Sequence, residues 1–349
     1  MGRHVNRHFP APASGAATRS AGQSETAIYD ADVAALSQPE LEAAHCWEPN
    51  DLVPRRPDLT DFRRRLRYHQ AQWREANGHP IGTQPIAPRP GDRAVRLVGS
   101  RLPLPYALET GATFLTASAL DAAQARTLAK EPQQMWDAQR LWADLLWSTA
   151  LCFNLFGDLA ADLALANHAV HTWWPDAPGT VCDVRFEHSP GRLDMAYLGN
   201  LCHFSVAFVL DLGDGTKGII ALKTMYHELN RPQAPKPTRL WRYREVTDRS
   251  RIFEPGAFEA VNGTDLIHIW LDHMLVHSML QHPSGTWKWG RFVLVHPAGN
   301  TAFAEVGARY RDLLVDPSTV ASMTIEELLD ADVLPARTAA LFRERYIID

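Results

Sequence analysis

Two histidines four residues apart, His273 and His277, are the first candidates for chemistry, because that spacing is typical of metal-binding pairs on a helix. The zinc-protease motif also requires a glutamate directly after the first histidine. Met274 stands there instead, and the sequence indicates no third ligand. The pattern therefore favours a histidine pair in the core or at the surface over a zinc site.

Lys223 is the second candidate, because it follows an apolar run in which a lysine is unusual. Lysines are seldom fully buried without a partner. Glu187, at the end of an earlier apolar run, is a natural partner, and a simple ion pair would account for both residues. Ser205 lacks the glycine-flanked elbow of serine hydrolases, which argues against that class.

Two stretches are rich in arginine and contain aromatic residues. Residues 55–101 hold eleven arginines against four acidic residues, and residues 231–251 hold seven basic against two acidic residues. Arginine suits phosphate contact and aromatic rings suit base stacking. A solvated basic surface explains the same pattern equally well. The net charge of -5 excludes only a globally basic nucleic-acid binder.

Length and composition predict one large domain with an extension, or two domains. The 349 residues are 46% hydrophobic and 21% charged, which is ordinary for a globular protein. No apolar run is long enough for a membrane span, and the beginning of the chain has no apolar signal region, so the cytoplasm is the expected compartment. The four cysteines form no CxxC pair, and we expect reduced thiols.

Three regions follow from the composition along the chain. Residues 1–24 lack hydrophobic periodicity and predict a disordered tail. Residues 25–110 predict a basic helical and extended region, in which 59–77 form an amphipathic helix with a basic outer face that ends at Gly78. The prolines between residues 79 and 105 exclude a continuous helix there. Residues 111–349 predict an α/β domain.

The elements of that domain alternate between helical and strand patterns. Residues 118–165 predict two helices broken near Glu131, the second over 133–155 and ending near Gly157. Apolar runs then predict strands over 181–187, 201–211, 217–224 and 291–295, with a helix over 265–280 before the last strand. A capping box begins a helix at Thr324. The order predicts a mixed central sheet flanked by helices.

Four strings, in the right order along the chain, carry a resemblance to a restriction-endonuclease-like family of the PD-(D/E)XK nuclease superfamily. They are LCFNLFG at 151–157, FEHSP at 186–190, WRE at 73–75 with PIG at 80–82, and VLVHP at 293–297. The resemblance covers residues 65–330. It implies an α/β restriction-endonuclease-like core, here with an N-terminal helical extension.

The resemblance also implies hydrolysis of DNA phosphodiesters with Mg²⁺. Such chemistry requires a divalent cation that neutralises the phosphate and activates the attacking water. Mg²⁺ prefers oxygen ligands, so in this superfamily one strand supplies an aspartate and the next an acid two residues before a lysine. A spacing of two along a strand places the acid and the lysine on one face.

In this sequence the implied pattern is incomplete. The resemblance places Ser205 at the aspartate position and Ala221 at the second acidic position, and only Lys223 is retained. A serine hydroxyl is a weak Mg²⁺ ligand and an alanine side chain is none, so two negative charges are missing. Glu187 remains as one carboxylate, and Asp194 or Glu228 could supply another.

Three interpretations stay open. The first is a nucleic-acid-binding protein with lost or weakened Mg²⁺-dependent hydrolysis. The second is an active DNA endonuclease that holds Mg²⁺ through Glu187 with Asp194 or Glu228. The third is a non-enzymatic interaction protein on a nuclease fold. DNA is the expected partner, with a homodimer left open, and the arginines assigned to its contact are Arg63, Arg67, Arg74, Arg239, Arg242 and Arg244.

Overall fold

The computed structural model describes residues 36–48, 51–52, 61–84, 96–135 and 137–348. The tail predicted over residues 1–24 lies outside these ranges. Leu36–Asp349 form one compact unit. The predicted domain boundaries at residues 24 and 110 stay predictions.

Helices and two-residue strands precede the central sheet. The helices are α1 (Gln38–Ala43), α2 (Asp61–Ala76), α3 (Leu104–Thr110), α4 (Ala117–Leu128), α5 (Ala138–Ala143), α6 (Ser148–Ala161) and α7 (Leu163–Trp173). Two small antiparallel pairs join β1 (Trp47–Glu48) to β2 (Asp51–Leu52) and β3 (Gly82–Thr83) to β4 (Leu97–Val98).

The remaining elements build the sheet and its second covering layer. The strands are β5 (Thr180–His188), β6 (Phe204–Asp211), β7 (Lys217–Thr224), β8 (Trp287–His296) and β9 (Val320–Thr324). The helices are α8 (Leu240–Ser250), α9 (Ala257–Val261), α10 (Ile267–Leu280), α11 (Thr301–Arg311), α12 (Ile325–Asp330) and α13 (Ala336–Tyr346).

The central sheet is mixed, with the order β5-β6-β7-β8-β9. β5, β6 and β7 are antiparallel neighbours, whereas β8 runs parallel to β7 and β9 parallel to β8. Gly213 and Gly215 both take positive φ in the β6–β7 hairpin, a conformation that costs glycine little. The α/β fold and the four predicted strands are confirmed, while β9 was not predicted.

Both faces of the sheet are buried, which explains the continuous apolar runs of its strands. Along β7, Ile220 and Leu222 face one hydrophobic core, which α6 and α2 complete. Ile219 and Ala221 face a second core under α8, α10 and α11. The helix predicted over 265–280 is confirmed as α10, which is buried on nearly every side.

The predicted single helix over 133–155 is wrong, because this segment forms two helices, α5 and α6, with Asp144 between them. Asp144 is buried and accepts hydrogen bonds from Arg101 and Arg140. The predicted end near Gly157 is also wrong, since α6 continues to Ala161. A Cβ at Gly157 would lie 2.6 Å from the Cα of Ala119 in α4. Gly157 therefore permits two helices to pack closely instead of ending one.

A buried cluster joins α2 to α13. The Arg345 guanidinium lies 4.5 Å from the ring centroid of Trp73 and 4.7 Å from that of Tyr346. Gln70 Nε2 donates to the Arg345 carbonyl at 2.6 Å and to the Tyr226 hydroxyl at 3.0 Å. No carboxylate takes part in the contacts described for Arg345. Its charge is instead stabilised by the two aromatic faces and by two oxygens, the Thr113 carbonyl, to which Nη1 donates, and Gln70 Oε1, to which Nε donates at 3.5 Å.

The helix predicted over 59–77 is confirmed as α2, but its predicted basic outer face is wrong for Arg63 and Arg67, which are both buried. Arg63 Nε donates to the carbonyl of His227 at 2.6 Å. The long arginine stem can bury apolar surface while its head finds a polar partner.

Among the described residues, no single helix has the length and apolar composition of a membrane span. α6 and α7 meet that criterion only as a pair bent by 116°.

Candidate functional site

Three of the predicted site residues lie in adjacent strands at one end of the sheet. The register on both sides of Glu187 places it opposite Ser205. One step beyond the last β6–β7 pair, Ser205 lies next to Lys223. The N–H of Thr224 donates to Ser205 Oγ at 3.1 Å. Alternation along β7 puts Ala221 on the same face as Lys223, but fully buried in the second core.

Glu187 is held in a polar cage. His203 Nε2 lies 3.1 Å from Glu187 Oε2, and the Thr149 hydroxyl donates to Oε1 at 3.3 Å. Lys223 Nζ donates to the His203 carbonyl at 3.1 Å. Glu187 has a φ of 49° in a strand, a left-handed conformation that costs a non-glycine residue about 1 kcal/mol or more. The surrounding contacts therefore fix this carboxylate in a strained position.

The pKa of Glu187 reflects this cage. Burial alone would raise it, but the charge and hydrogen bond of His203, together with Lys223 and Thr149, lower it on balance. The carboxylate is therefore ionised near neutral pH, and both of its oxygens already have partners.

Asp272 of α10 is a site residue that the sequence reasoning missed. It is buried, and it lines the same cavity as Lys223. Burial raises the pKa of Asp272, although Lys223, His203 and His268 act in the opposite direction. No local pattern in the sequence distinguishes it, because α10 also carries His268, His273 and His277.

The cavity beside Lys223 has a volume of 380 Å³. Its walls come from the loop before β6, the proline-rich segment before α8, and α10. Lys223, Lys236 and Arg239 are its cationic lining residues, against the single carboxylate of Asp272. The charged lining is therefore mainly positive, which suits an anionic group such as a phosphodiester.

Asp194 and Glu228, the two alternative acids, are not lining residues of this cavity. Asp194 is exposed in the β5–β6 loop, where its side chain accepts from the N–H of Ala196 at 2.8 Å. Glu228 accepts from the N–H of Tyr226 at 2.6 Å. Both carboxylates thus stabilise local turns.

Four of the arginines assigned to nucleic acid are engaged or covered within the protein. Arg63, Arg74 and Arg242 each donate to backbone carbonyl oxygens. Arg67 is 3% exposed. Their contact with nucleic acid stays a prediction, and each would have to leave its present environment to make it.

The other two assigned arginines, Arg239 and Arg244, lie closer to the protein surface. Arg239 is half-buried and lines the cavity beside Lys223. Arg244 is exposed, lies over the ring of Phe258 and pairs with Glu259 at 2.8 Å. Arg239 is therefore the assigned arginine that is best placed for a ligand in the cavity.

The donor set beside Lys223 does not fit Mg²⁺. Within the described ranges, no group of three or more His, Cys, Asp or Glu side chains is arranged to hold a metal ion. Glu187 is bound by His203 and Thr149, burial favours the neutral form of Asp272, and the Lys223 ammonium would repel a cation. Ser205 and Ala221, the residues that the resemblance assigns to the two acidic positions, add no charge.

His273 and His277 form a core pair, as the sequence favoured. Their Nε2 atoms are 3.2 Å apart, and His273 Nδ1 lies 3.0 Å from the Tyr310 hydroxyl. Burial lowers the pKa of both rings, to about 4 for His277. Two neutral rings that are bonded to each other and to Tyr310 are a structural feature of the core around α10.

Residues 57–348 match the family model of the PD-(D/E)XK nuclease superfamily. The chain belongs to this superfamily, whose nucleases typically use Mg²⁺. No curated protein and no solved structure matches the chain. The strands β5, β6 and β7, then α10 and β8, follow the order that the apolar runs of the sequence predicted.

Glu187 and Asp272 should have opposite effects on the pH dependence of stability. The pKa of Glu187 is lowered from 4.5 in the folded protein, so its contribution is present above pH 4.5 and lost as pH falls through the folded pKa. The pKa of Asp272 is raised from 3.8, so its contribution is present at low pH and lost as pH rises through the folded pKa.

We therefore expect Glu187→Gln to reduce the loss of stability on acidification, and Asp272→Asn to reduce the loss of stability as pH rises above about 4. Urea unfolding midpoints measured from pH 3 to pH 7 test both variants. If both substitutions changed the pH dependence of the unfolding midpoint in the same direction, the pKa directions assigned to these two carboxyl groups would be wrong.

Proposed function

We propose that the protein binds DNA with a PD-(D/E)XK core whose Mg²⁺-dependent hydrolysis is lost or weakened. One observation carries the proposal. Lys223, at the end of β7, lines a cavity whose charged lining is mainly positive, and the resemblance assigns Ser205 and Ala221 to the positions of the acidic ligands.

Each side chain has a role in such binding. The Lys223 and Lys236 ammonium groups and the Arg239 guanidinium would contact phosphate oxygens directly. Glu187 is a positioning residue, because it holds His203, whose carbonyl accepts from Lys223. The arrangement binds an anion but offers no ligand set for the cation that hydrolysis needs.

Cleavage assays test whether Mg²⁺-dependent hydrolysis is lost or weakened. We expect little or no cutting of plasmid and linear duplex DNA in the presence of Mg²⁺ or Mn²⁺. Robust cleavage that Lys223→Ala abolishes would overturn this expectation in favour of an active endonuclease. The observation that favours this alternative is that Asp272 lines the same cavity as Lys223, and that Glu187 is paired with His203, whose carbonyl accepts from Lys223.

DNA binding should depend strongly on salt. Each lost phosphate contact reduces the slope of log affinity against log salt by about 1. We expect Lys236→Gln with Arg239→Gln to reduce that slope by about 2 and to weaken binding at low salt. Fluorescence anisotropy with a labelled duplex, at several salt concentrations, measures both quantities.

Lys288→Gln is the matched control, because Lys288 is exposed on β8 near the end of the sheet opposite Lys223. It should leave affinity and slope almost unchanged. An affinity that is absent or independent of salt would favour the third interpretation, a non-enzymatic interaction protein. The cytoplasm as compartment and a homodimer as assembly are further proposals.

A further inference from the structure

Three cationic side chains that line the cavity beside Lys223 have no carboxylate partner. Within the described ranges, Lys223, Lys236 and Arg239 form no ion pair. Lys223 Nζ donates to one backbone carbonyl, and Arg239 Nη1 donates to the sulfur of Met195, which is a weak acceptor. By contrast, the three arginines of α8 are all paired with carboxylates, namely Arg242, Arg244 and Arg249. The protein itself therefore leaves the donors in the cavity available to a ligand.

The charge of the cavity suits a phosphate monoester better than a diester. Lys223, Lys236 and Arg239 carry three positive charges, and Asp272 is the one carboxyl group among the described lining residues. Burial favours the neutral form of Asp272. A phosphodiester brings one negative charge, whereas a monoester brings about 1.5 to 2 near pH 7. A terminal phosphate therefore balances more of the positive charge than an internal one does.

Apolar side chains supply much of the remaining wall. Leu193 and Leu201 are 42% and 39% exposed, so a ligand can contact both. Met225, Ile267 and Leu271 also line the cavity. Its volume of 380 Å³ lies in the lower part of the range of small-molecule sites, about 300 to 1,000 Å³. The flat faces of a nucleobase can pack on such a wall, beside cations that hold a phosphate.

We propose that this cavity binds one nucleotide with a phosphate monoester, either free or at the end of a nucleic-acid strand. The cations hold the phosphate, and the apolar wall holds the base. A nucleotide inside a strand has a backbone that continues in both directions, which fits less well into a cavity of this volume. The inference rests on the proposed binding of DNA at the same cavity and specifies which part of the DNA is bound.

Linear and circular single strands of the same sequence test the recognition of an end. Each carries an internal fluorophore, and the linear strand has a 5′-phosphate, a 3′-phosphate or hydroxyl groups at both ends. We measure anisotropy with the full chain at low salt. One of the phosphorylated strands should bind about tenfold more tightly than the hydroxyl-ended strand and the circle, the effect of one additional charge-assisted contact.

Calorimetry with dAMP, inorganic phosphate and deoxyadenosine tests the recognition of a whole nucleotide. dAMP should bind saturably and more tightly than either of the other two probes, because it makes both the phosphate and the base contacts. If dAMP binds as tightly as the phosphorylated strand, a free nucleotide is sufficient as the ligand. If the strand binds more tightly, the ligand is the end of a strand.

Two variants separate the phosphate contact from the base contact. Arg239→Gln should remove most of the preference for the phosphorylated strand, whereas Arg249→Gln, at an exposed and paired position of α8, should retain it. Leu201→Ala should weaken the binding of dAMP about threefold and leave that of inorganic phosphate unchanged, because it removes only apolar contact area. Thermal melting establishes that every variant is folded, and the comparison of ligands on the unaltered protein needs no variant.

The outcomes distinguish this inference from the proposed function. If the circle binds as tightly as the phosphorylated strands, the inference is wrong, while the proposed binding of DNA stands. If dAMP binds no more tightly than inorganic phosphate, the inference is wrong as well. If dAMP saturates the cavity but no strand binds, the nucleotide site stands and the proposed binding of DNA fails.

Discussion

The double variant Ser205→Asp with Ala221→Glu is expected to bind Mn²⁺ saturably, about a hundredfold or more tightly than the unaltered protein. The two carboxylates would restore anionic ligands on adjacent strands, with residue 221 on the same face as Lys223. They would also neutralise the repulsion between Lys223 and the cation. Isothermal titration calorimetry measures the affinity directly.

The control is Ser205→Asn with Ala221→Gln, which has the same size but no charge. Ala221 is fully buried, so both double variants should lose about 1 to 3 kcal/mol of stability from overpacking. Thermal melting must first show that both are folded. If the acidic variant is folded and binds Mn²⁺ no better than its amide counterpart, the metal position has been assigned to the wrong residues.

Arg345→Ala is expected to lower the free energy of unfolding by about 3 kcal/mol or more. The substitution removes a fully buried side chain from between Trp73 and Tyr346 and leaves a cavity where its stem packed. It also removes the donor to the carbonyl of Thr113. Urea unfolding followed by tryptophan fluorescence measures the change.

Arg343→Ala is the matched control, two residues earlier on the same helix. Arg343 is 41% exposed and pairs with Asp330 at the surface, so its loss should cost less than about 1 kcal/mol. Arg345→Met should retain more stability than Arg345→Ala, because it fills part of the volume. Equal losses for the two alanine variants would contradict a special role for the buried guanidinium.

The sheet could largely be predicted from the sequence, because strands that are buried on both faces are continuous apolar runs with clear ends. β9 could not, since its five residues, Val320–Thr324, include Ser322 and Thr324 and are mostly half-buried. The break between α5 and α6 depends on Asp144, whose partner Arg101 is 43 residues away. Local helix propensity contains no information on such a contact.

Some residues of the candidate site could likewise be predicted from the sequence, and others could not. Lys223 and Glu187 were predicted because charged residues are conspicuous in apolar strands. Asp272 reaches the cavity only through the packing of α10 against the sheet, which no local pattern reveals. The burial of Arg63 could not be predicted from the sequence either, because the carbonyl that accepts from it, that of His227, is 164 residues away.

The contact between α2 and α13 has a consequence for the order of folding during synthesis. Gln70 and the carbonyl it binds, that of Arg345, are 275 residues apart. α2 leaves the ribosome long before α13 exists, so the apolar stripe of α2 cannot reach its native packing at that time. In a nascent chain that lacks α13, Trp73 has not yet gained its contact with the Arg345 guanidinium, so the end of α2 reaches its full burial only when synthesis is nearly finished.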